Sequence, residues 1–301
     1  MMTVRQLLRT AVICVAAASS QAQGLDEALF PGLDRHSDES IRLHGLAQLY
    51  PGRVLFEAPQ LTTVTESRVA TRVEDLPREI KYVRLYRLDE AQAVLEAFQS
   101  HQALILDFRF LKSEDTAIDL FDHFATTGWT QELTTIGTVP AGLIETDLND
   151  SYTLRDTPVI VLCNRETAGP FEAILHTLQE NGSIIAVGEP TAGHTGFYEP
   201  TVPNAWILNG EIRPDHDTSL VGSGFLPRIQ IALNAEANYL TYHLYEAGTD
   251  ITQLLRKANQ TTAQSDDTLN DHDIPIETDQ ILQRGVDIIA ALQTLQHQPE
   301  L

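Results

Sequence analysis

Residues able to do chemistry gather in three short stretches. "TAGPFE" (167–172) and "GEPTAGHTG" (188–196) supply Thr167, Glu172, Glu189, His194 and Thr195, and "DTSLVGSG" (217–224) adds Ser219 and Ser223. A hydroxyl is a poor nucleophile until a neighbouring base takes its proton. Imidazole titrates near neutrality, so His194 could serve as that base. Thr167, Ser219 and Ser223 are the candidate hydroxyls, although spacing alone pairs none of them with His194. Thr167 also reads as a cap of its own turn. Gly169 offers no nucleophile and reads as a permissive turn residue at a helix start. Glu172 falls in the first turn of that helix, where the dipole favours a negative charge. Cys163 lies inside the apolar run "PVIVLC" and reads as core; reactivity would need an exposed, electropositive setting.

Two "DHD" tripeptides, 215–217 and 271–273, raise the question of a metal. Neighbouring residues on one loop seldom converge on an ion without further ligands. No metal and no cofactor are expected.

The elements around these stretches alternate. "YVRLY" (82–86), "ALILDF" (103–108), "PVIVLC" (158–163) and "SIIAVG" (183–188) have the length and apolarity of strands buried on both faces. Between them, 89–100, 115–126 and 170–181 carry helical periodicity. In the last, Pro170 suits the first turn, Phe171, Ile174, Leu175 and Leu178 form one stripe, and Gly182 ends it. This order predicts an α/β fold with a mostly parallel sheet and flanking helices. "GRVLFEAP" and "LTTVTESRVATRV" read as short strands in a small mixed N-terminal region. "AWILNGEIRP" reads as a hairpin turning at Asn209-Gly210, and "FLPRIQIAL" as a further strand. Residues 258–273 read as a polar linker, followed by an amphipathic helix with Ile281, Leu282, Ile288, Ile289 and Leu292 inward.

The beginning of the chain reads as an export signal. Arg5 and Arg9 precede the apolar "AVICVAAASS", and Ser20 and Ala22 suit cleavage after Ala22. The apolar stretch is short for a membrane anchor, and Ile13 before Cys14 does not suit lipid attachment. The expected organisation is a signal peptide (1–22), a small N-terminal region (23–77) and one domain (78–296). Export to the periplasm or the exterior is expected, without stable membrane insertion. The formal charge is −22, and loss of Arg5 and Arg9 deepens it by two. Such a surface repels nucleic acid. Cys163 is the only cysteine left after processing, which rules out an intramolecular disulfide and a cysteine-based zinc site.

Four segments, in order, resemble the tail-specific (C-terminal processing) serine peptidases, whose core is crotonase-like. "IKYVRLYRLDEAQAVLEAFQSHQALILDFR" is similar to the strand, helix and strand that lead to that family's "LILDLRGNGGG". "PVIVLCNRETAGPFEAILHTLQENGSIIAVGEPTAGHTG" is similar to its catalytic segment, with Asn164, Glu172 and Gly188-Glu189 matching. "LVGSGFLPRIQI" and "DIPIETDQILQRGVDIIAAL" resemble its later strand and its final helix. The resemblance implies a serine in "T-A-S-A-S-E" and a lysine base in "T-x-G-K-G". By position these fall on Gly169 and His194, and the "GNGGG" loop is replaced by "RFLKSED" after Asp107. The resemblance therefore implies a peptidase-like protein without its Ser/Lys dyad. Asn164, Ala168, Pro170, Glu172 and Thr195 would line the former cleft, which would bind a peptide or protein. The alternative is an active serine-type peptidase or other hydrolase with a relocated nucleophile: Thr167, Ser219 or Ser223.

Overall fold

The computed structural model describes residues 47–57, 71–90, 103–116, 118–123, 125, 129–141, 143, 157–202, 205–233, 235–255 and 278–296. In chain order the strands are β1 (Val54–Leu55), β2 (Arg72–Leu76), β3 (Ile80–Arg84), β4 (Ala103–Asp107), β5 (Thr134–Gly137), β6 (Val159–Cys163), β7 (Ile185–Gly188), β8 (Gly196–Val202), β9 (Ala205–Arg213) and β10 (Ile229–Gln230). The helices are α1 (Ile118–Asp122), α2 (Phe171–Glu180), α3 (Ala235–Glu246) and α4 (Gln280–Gln296).

One sheet has the order β10-β7-β6-β4-β3-β2. All its pairings are parallel except β2 with β3. The strand interiors are apolar on both faces, and successive residues feed two different cores. Leu104, Leu106, Val159, Val161 and Cys163 join one core with Phe171, Ile174, Leu175 and Leu178 of α2. Ala103, Ile105, Ile160 and Leu162 join the other with Ile281, Leu282 and Ile289 of α4. The sheet is thus a layer between helices. Its parallel strands end together, and their following loops (108–116, 164–170 and 189–195) meet at that edge.

The second sheet is built on β9. β8 pairs along one of its edges, and β1 and β5 follow one another along the other. This corrects the hairpin expected at Asn209-Gly210. Both residues lie inside β9, where Gly210 is paired with Phe197 and Gly137. The dipeptide suits a turn, but here the backbone of Thr138 approaches to 2.2 Å from where a Gly210 Cβ would stand. Close approach selects the glycine.

The α2 stripe is placed as its spacing predicts, with all four apolar residues in the core. The α4 residues expected inward are buried or half-buried. Of the helix expected over 115–126, Ile118–Asp122 is helical. The helix expected over 89–100, the linker 258–273, the second "DHD" and the leader lie outside the described residues, apart from a 3-10 turn at Leu88–Glu90. Helix α3 was not anticipated; "AEANYLTYHLYE" has a weak apolar stripe. Among the described residues, no helix is long and apolar enough to cross a membrane.

Candidate active site

The turn 164–170 follows β6 and enters α2 at Pro170. Its shape is fixed by its own polar side chains. The Thr167 hydroxyl donates to the Phe108 carbonyl at 2.9 Å and accepts the Asn164 N–H at 3.0 Å. The Asn164 side-chain oxygen accepts the N–H groups of Phe110 and Glu166. Thr167 is fully buried. Its hydroxyl proton is committed to a carbonyl, so it is a turn cap and not an activated nucleophile.

The segment after β4 lies alongside this turn. Ala168 N–H donates to the Leu111 carbonyl at 2.9 Å, and Ser113 N–H donates to the Ala168 carbonyl at 3.0 Å. Lys112 and Ala168 form a parallel bridge. The Gly169 backbone has a φ of +149°. A Cβ there would lie 2.2 Å from the Ser113 carbonyl oxygen and 2.8 Å from Cε1 of Phe171. The position is closed to any side chain.

Glu172 ties the turn to the loop after β7. Its Oε1 accepts the Gly169 N–H at 3.0 Å and the His194 N–H at 2.8 Å. Its Oε2 accepts the Gly193 N–H at 2.8 Å and the Thr191 hydroxyl. The carboxylate is fully buried. Burial pushes it above the usual carboxylate range against the pull of these four donors.

His194 contributes chiefly its backbone. The ring is half-buried and its Nδ1 is buried without a hydrogen-bond partner. Burial, and then the nearby Lys112 ammonium, hold the imidazole below its ordinary pKa. Among the described residues, no hydroxyl is hydrogen-bonded to the ring. Of the residues expected to line a cleft, Asn164, Ala168 and Pro170 belong to the turn, Glu172 to the start of α2, and Thr195 follows His194 on the loop after β7; all five are buried.

The other candidate hydroxyls lie on the neighbouring loop, which packs on this one through a bond from Gly222 N–H to the Gly193 carbonyl at 2.9 Å. Ser219 Oγ donates to the buried Glu211 carboxylate at 2.6 Å, and Arg213 forms an ion pair with the same carboxylate. Ser223 Oγ contacts the carbonyls of Leu220 and Ser219, as a turn residue does. In the first "DHD", Asp215 accepts the N–H groups of Asp217 and Thr218. Among the described residues, no group of three or more His, Cys, Asp or Glu could hold a metal ion. Cys163 is fully buried, and burial raises its thiol pKa.

A buried charge network stands beside the turn. Asp107 accepts from Arg109 Nη2 at 2.6 Å and Nε at 2.9 Å, and from the Tyr82 hydroxyl at 2.6 Å. Arg109 Nη1 reaches Asp279, and its Nη2 reaches the Tyr245 hydroxyl at 2.9 Å. Asp279 also accepts the Leu282 N–H at 3.0 Å, capping α4. The Arg84 guanidinium lies 4.5 Å from the centre of the Tyr245 ring. Sequence reading missed this network; the buried-strand ending "LILDFR", with two opposite charges after an apolar run, was the available signal.

No protein-family model matches the chain. No curated protein matches it. Solved structures are similar in shape. A lipoprotein from Streptococcus agalactiae aligns with a TM-score of 0.47 and 12% identity, over 83% of this chain and 98% of that one. The photosystem II D1 C-terminal processing protease aligns with a TM-score of 0.40 and 17% identity, over 54% of this chain and 47% of that one. The tricorn protease aligns with a TM-score of 0.35 and 16% identity, over 57% of this chain and 16% of that one. Two of these three are proteases by name. At this level of likeness the function has to be argued from the site itself.

Proposed function

We propose that this chain is an exported protein with a crotonase-like, tail-specific-peptidase-like core that does not hydrolyse peptides and instead binds a peptide or protein segment beside its former active-site turn. The observation that carries the non-hydrolytic part is the closed Gly169 position, with the Ser113 carbonyl 2.2 Å from any Cβ. The donors that could stabilise an oxyanion there are engaged internally: Ser113 N–H on Ala168, and the Gly169, Gly193 and His194 N–H groups on Glu172. A turn that offers no nucleophile, and whose donors are engaged internally, has no route to acyl transfer. In favour of binding, β8 follows directly on the 191–195 loop, and among the described residues its only strand partner is β9. An open sheet edge accepts an extended peptide through backbone hydrogen bonds.

The test is to incubate residues 23–301 with a mixed peptide library and a serine-reactive phosphonate, reading cleavage, labelling and retained peptide by mass spectrometry. The expected result is retained peptide with no new termini and no labelled residue. New termini would overturn the non-hydrolytic reading, and absence of retained peptide would overturn the binding reading. One observation favours a second reading, a hydrolase with a relocated nucleophile: the 2.6 Å bond from Ser219 to the Glu211 carboxylate. That reading requires the phosphonate on Ser219.

A further inference from the structure

We infer that the cradle around Glu172 is a carboxylate-binding site in its own right, occupied by the protein's own side chain. This goes beyond the functional reading and does not depend on it. The cradle gives each carboxylate oxygen two donors: Gly169 and His194 N–H on Oε1, and Gly193 N–H with the Thr191 hydroxyl on Oε2. The donors come from two separate segments, the 167–172 turn and the 191–194 loop, so the site is more than a helix end.

The loop donors are held in place by contacts that do not involve Glu172. The Gly193 carbonyl accepts Gly222 N–H at 2.9 Å. Thr191 N–H donates to the Phe225 carbonyl at 3.0 Å, and the Thr191 hydroxyl accepts the Phe225 N–H at 2.7 Å. That last bond occupies a lone pair of the hydroxyl and leaves its proton for an acceptor in the cradle. Beyond the loop, Ile212 N–H is bonded to the Thr195 carbonyl at 3.1 Å. Donors fixed independently of their acceptor are preorganised, and preorganised amides bind carboxylate even when it is supplied by a separate molecule.

The experiment shortens Glu172 and offers the missing fragment back. Glu172→Ala removes the terminal CH2 and the carboxylate, which acetate replaces in size and charge. Thermal unfolding of the full chain is followed with acetate, chloride at matched ionic strength, and neutral acetamide. The expected result is a lowered midpoint for Glu172→Ala that rises saturably with acetate, while chloride and acetamide have no such effect. The unmodified chain should respond to acetate only as it does to chloride. Acetate that acts no better than chloride, or acetamide that acts as well as acetate, would overturn the inference. Should Glu172→Ala not fold even with acetate present, Glu172→Gln decides. It keeps the shape but offers one acceptor oxygen, so the cradle amides of Gly193 or His194 should exchange with deuterium at least ~10-fold faster in a folded protein, the equivalent of about 1.4 kcal/mol. Unchanged exchange would overturn the inference.

Discussion

The carbonyl oxygen of Ser113 stands 2.2 Å from the point where a Cβ on Gly169 would lie, and the Gly169 backbone has a φ of +149°. Both facts act against any side chain. Overpacking costs about 1–3 kcal/mol, and a sparsely populated backbone conformation about as much again. Gly169→Ser should therefore lower stability by several kcal/mol, read as a shift in denaturant midpoint. Gly182 supplies the control. Its φ is +79° with nothing within 4 Å of its Cβ position, so Gly182→Ala should cost only about 1 kcal/mol. It follows that Gly169→Ser/His194→Lys should not restore peptide cleavage. A cleaving double variant would show that the 110–113 segment can move aside.

Arg109 is fully buried between Asp107 and Asp279. Removing one partner of such a set strands a charge without solvent, which costs about 3–5 kcal/mol. Arg109→Leu should lose stability of that order. Arg109→Lys should also lose, because an ammonium cannot reproduce the fork that reaches Asp107, Asp279 and Tyr245 together. Burial raises the Asp107 pKa, but the Arg109 charge and hydrogen bond more than reverse this and hold it below the ordinary value. A depressed carboxylate stabilises the fold above its unfolded pKa and loses that contribution as pH falls through the folded pKa. Acid unfolding of the unmodified chain should show this loss, and Asp107→Asn should remove it together with much of the stability.

The layered sheet was legible because parallel strands covered on both faces must be apolar throughout. "ALILDF" and "PVIVLC" could hardly be anything else, and α2 announced its inward stripe at Phe171, Ile174, Leu175 and Leu178. Asn209-Gly210 misled because a turn-forming dipeptide is judged locally, whereas Gly210 answers to a strand on each side. Helix α3 was missed for lack of a strong apolar face. At the site, it could be read directly that Gly169 carries no side chain to react. The cradle around Glu172 could not, since its donors are mostly backbone N–H groups, which every sequence contains. The Asp107–Arg109–Asp279 set joins residues far apart in the chain, and spacing carries no trace of it.

Ser219 offers a separate check on the chemistry. Its Oγ donates to Glu211, whose carboxylate also takes Arg213. A hydrogen bond to a charged group contributes about 1.5–3 kcal/mol. Ser219→Ala should lower stability within that range and leave phosphonate labelling at zero, as in the unmodified chain. If labelling occurs on the unmodified chain and vanishes in Ser219→Ala, the pair is a working nucleophile and base.

His194 separates backbone from side chain. Its N–H holds Glu172, while its ring Nδ1 is buried without a partner. Replacing the ring therefore leaves the cradle intact and removes an unsatisfied polar atom, so His194→Ala should alter stability by less than about 1 kcal/mol. The pH dependence gives the sharper signature. Burial, then Lys112, lowers the folded pKa below the ordinary value of 6.5. Between the lowered value and 6.5 the unfolded chain binds a proton that the folded chain does not, so acid favours unfolding there. The stability in question is fully present above pH 6.5 and falls as pH drops through that interval. Denaturant midpoints measured across it should decline for the unmodified chain and decline less for His194→Ala. Equal slopes would mean that the folded ring accepts a proton as freely as the unfolded one, and that Nδ1 finds an acceptor when charged.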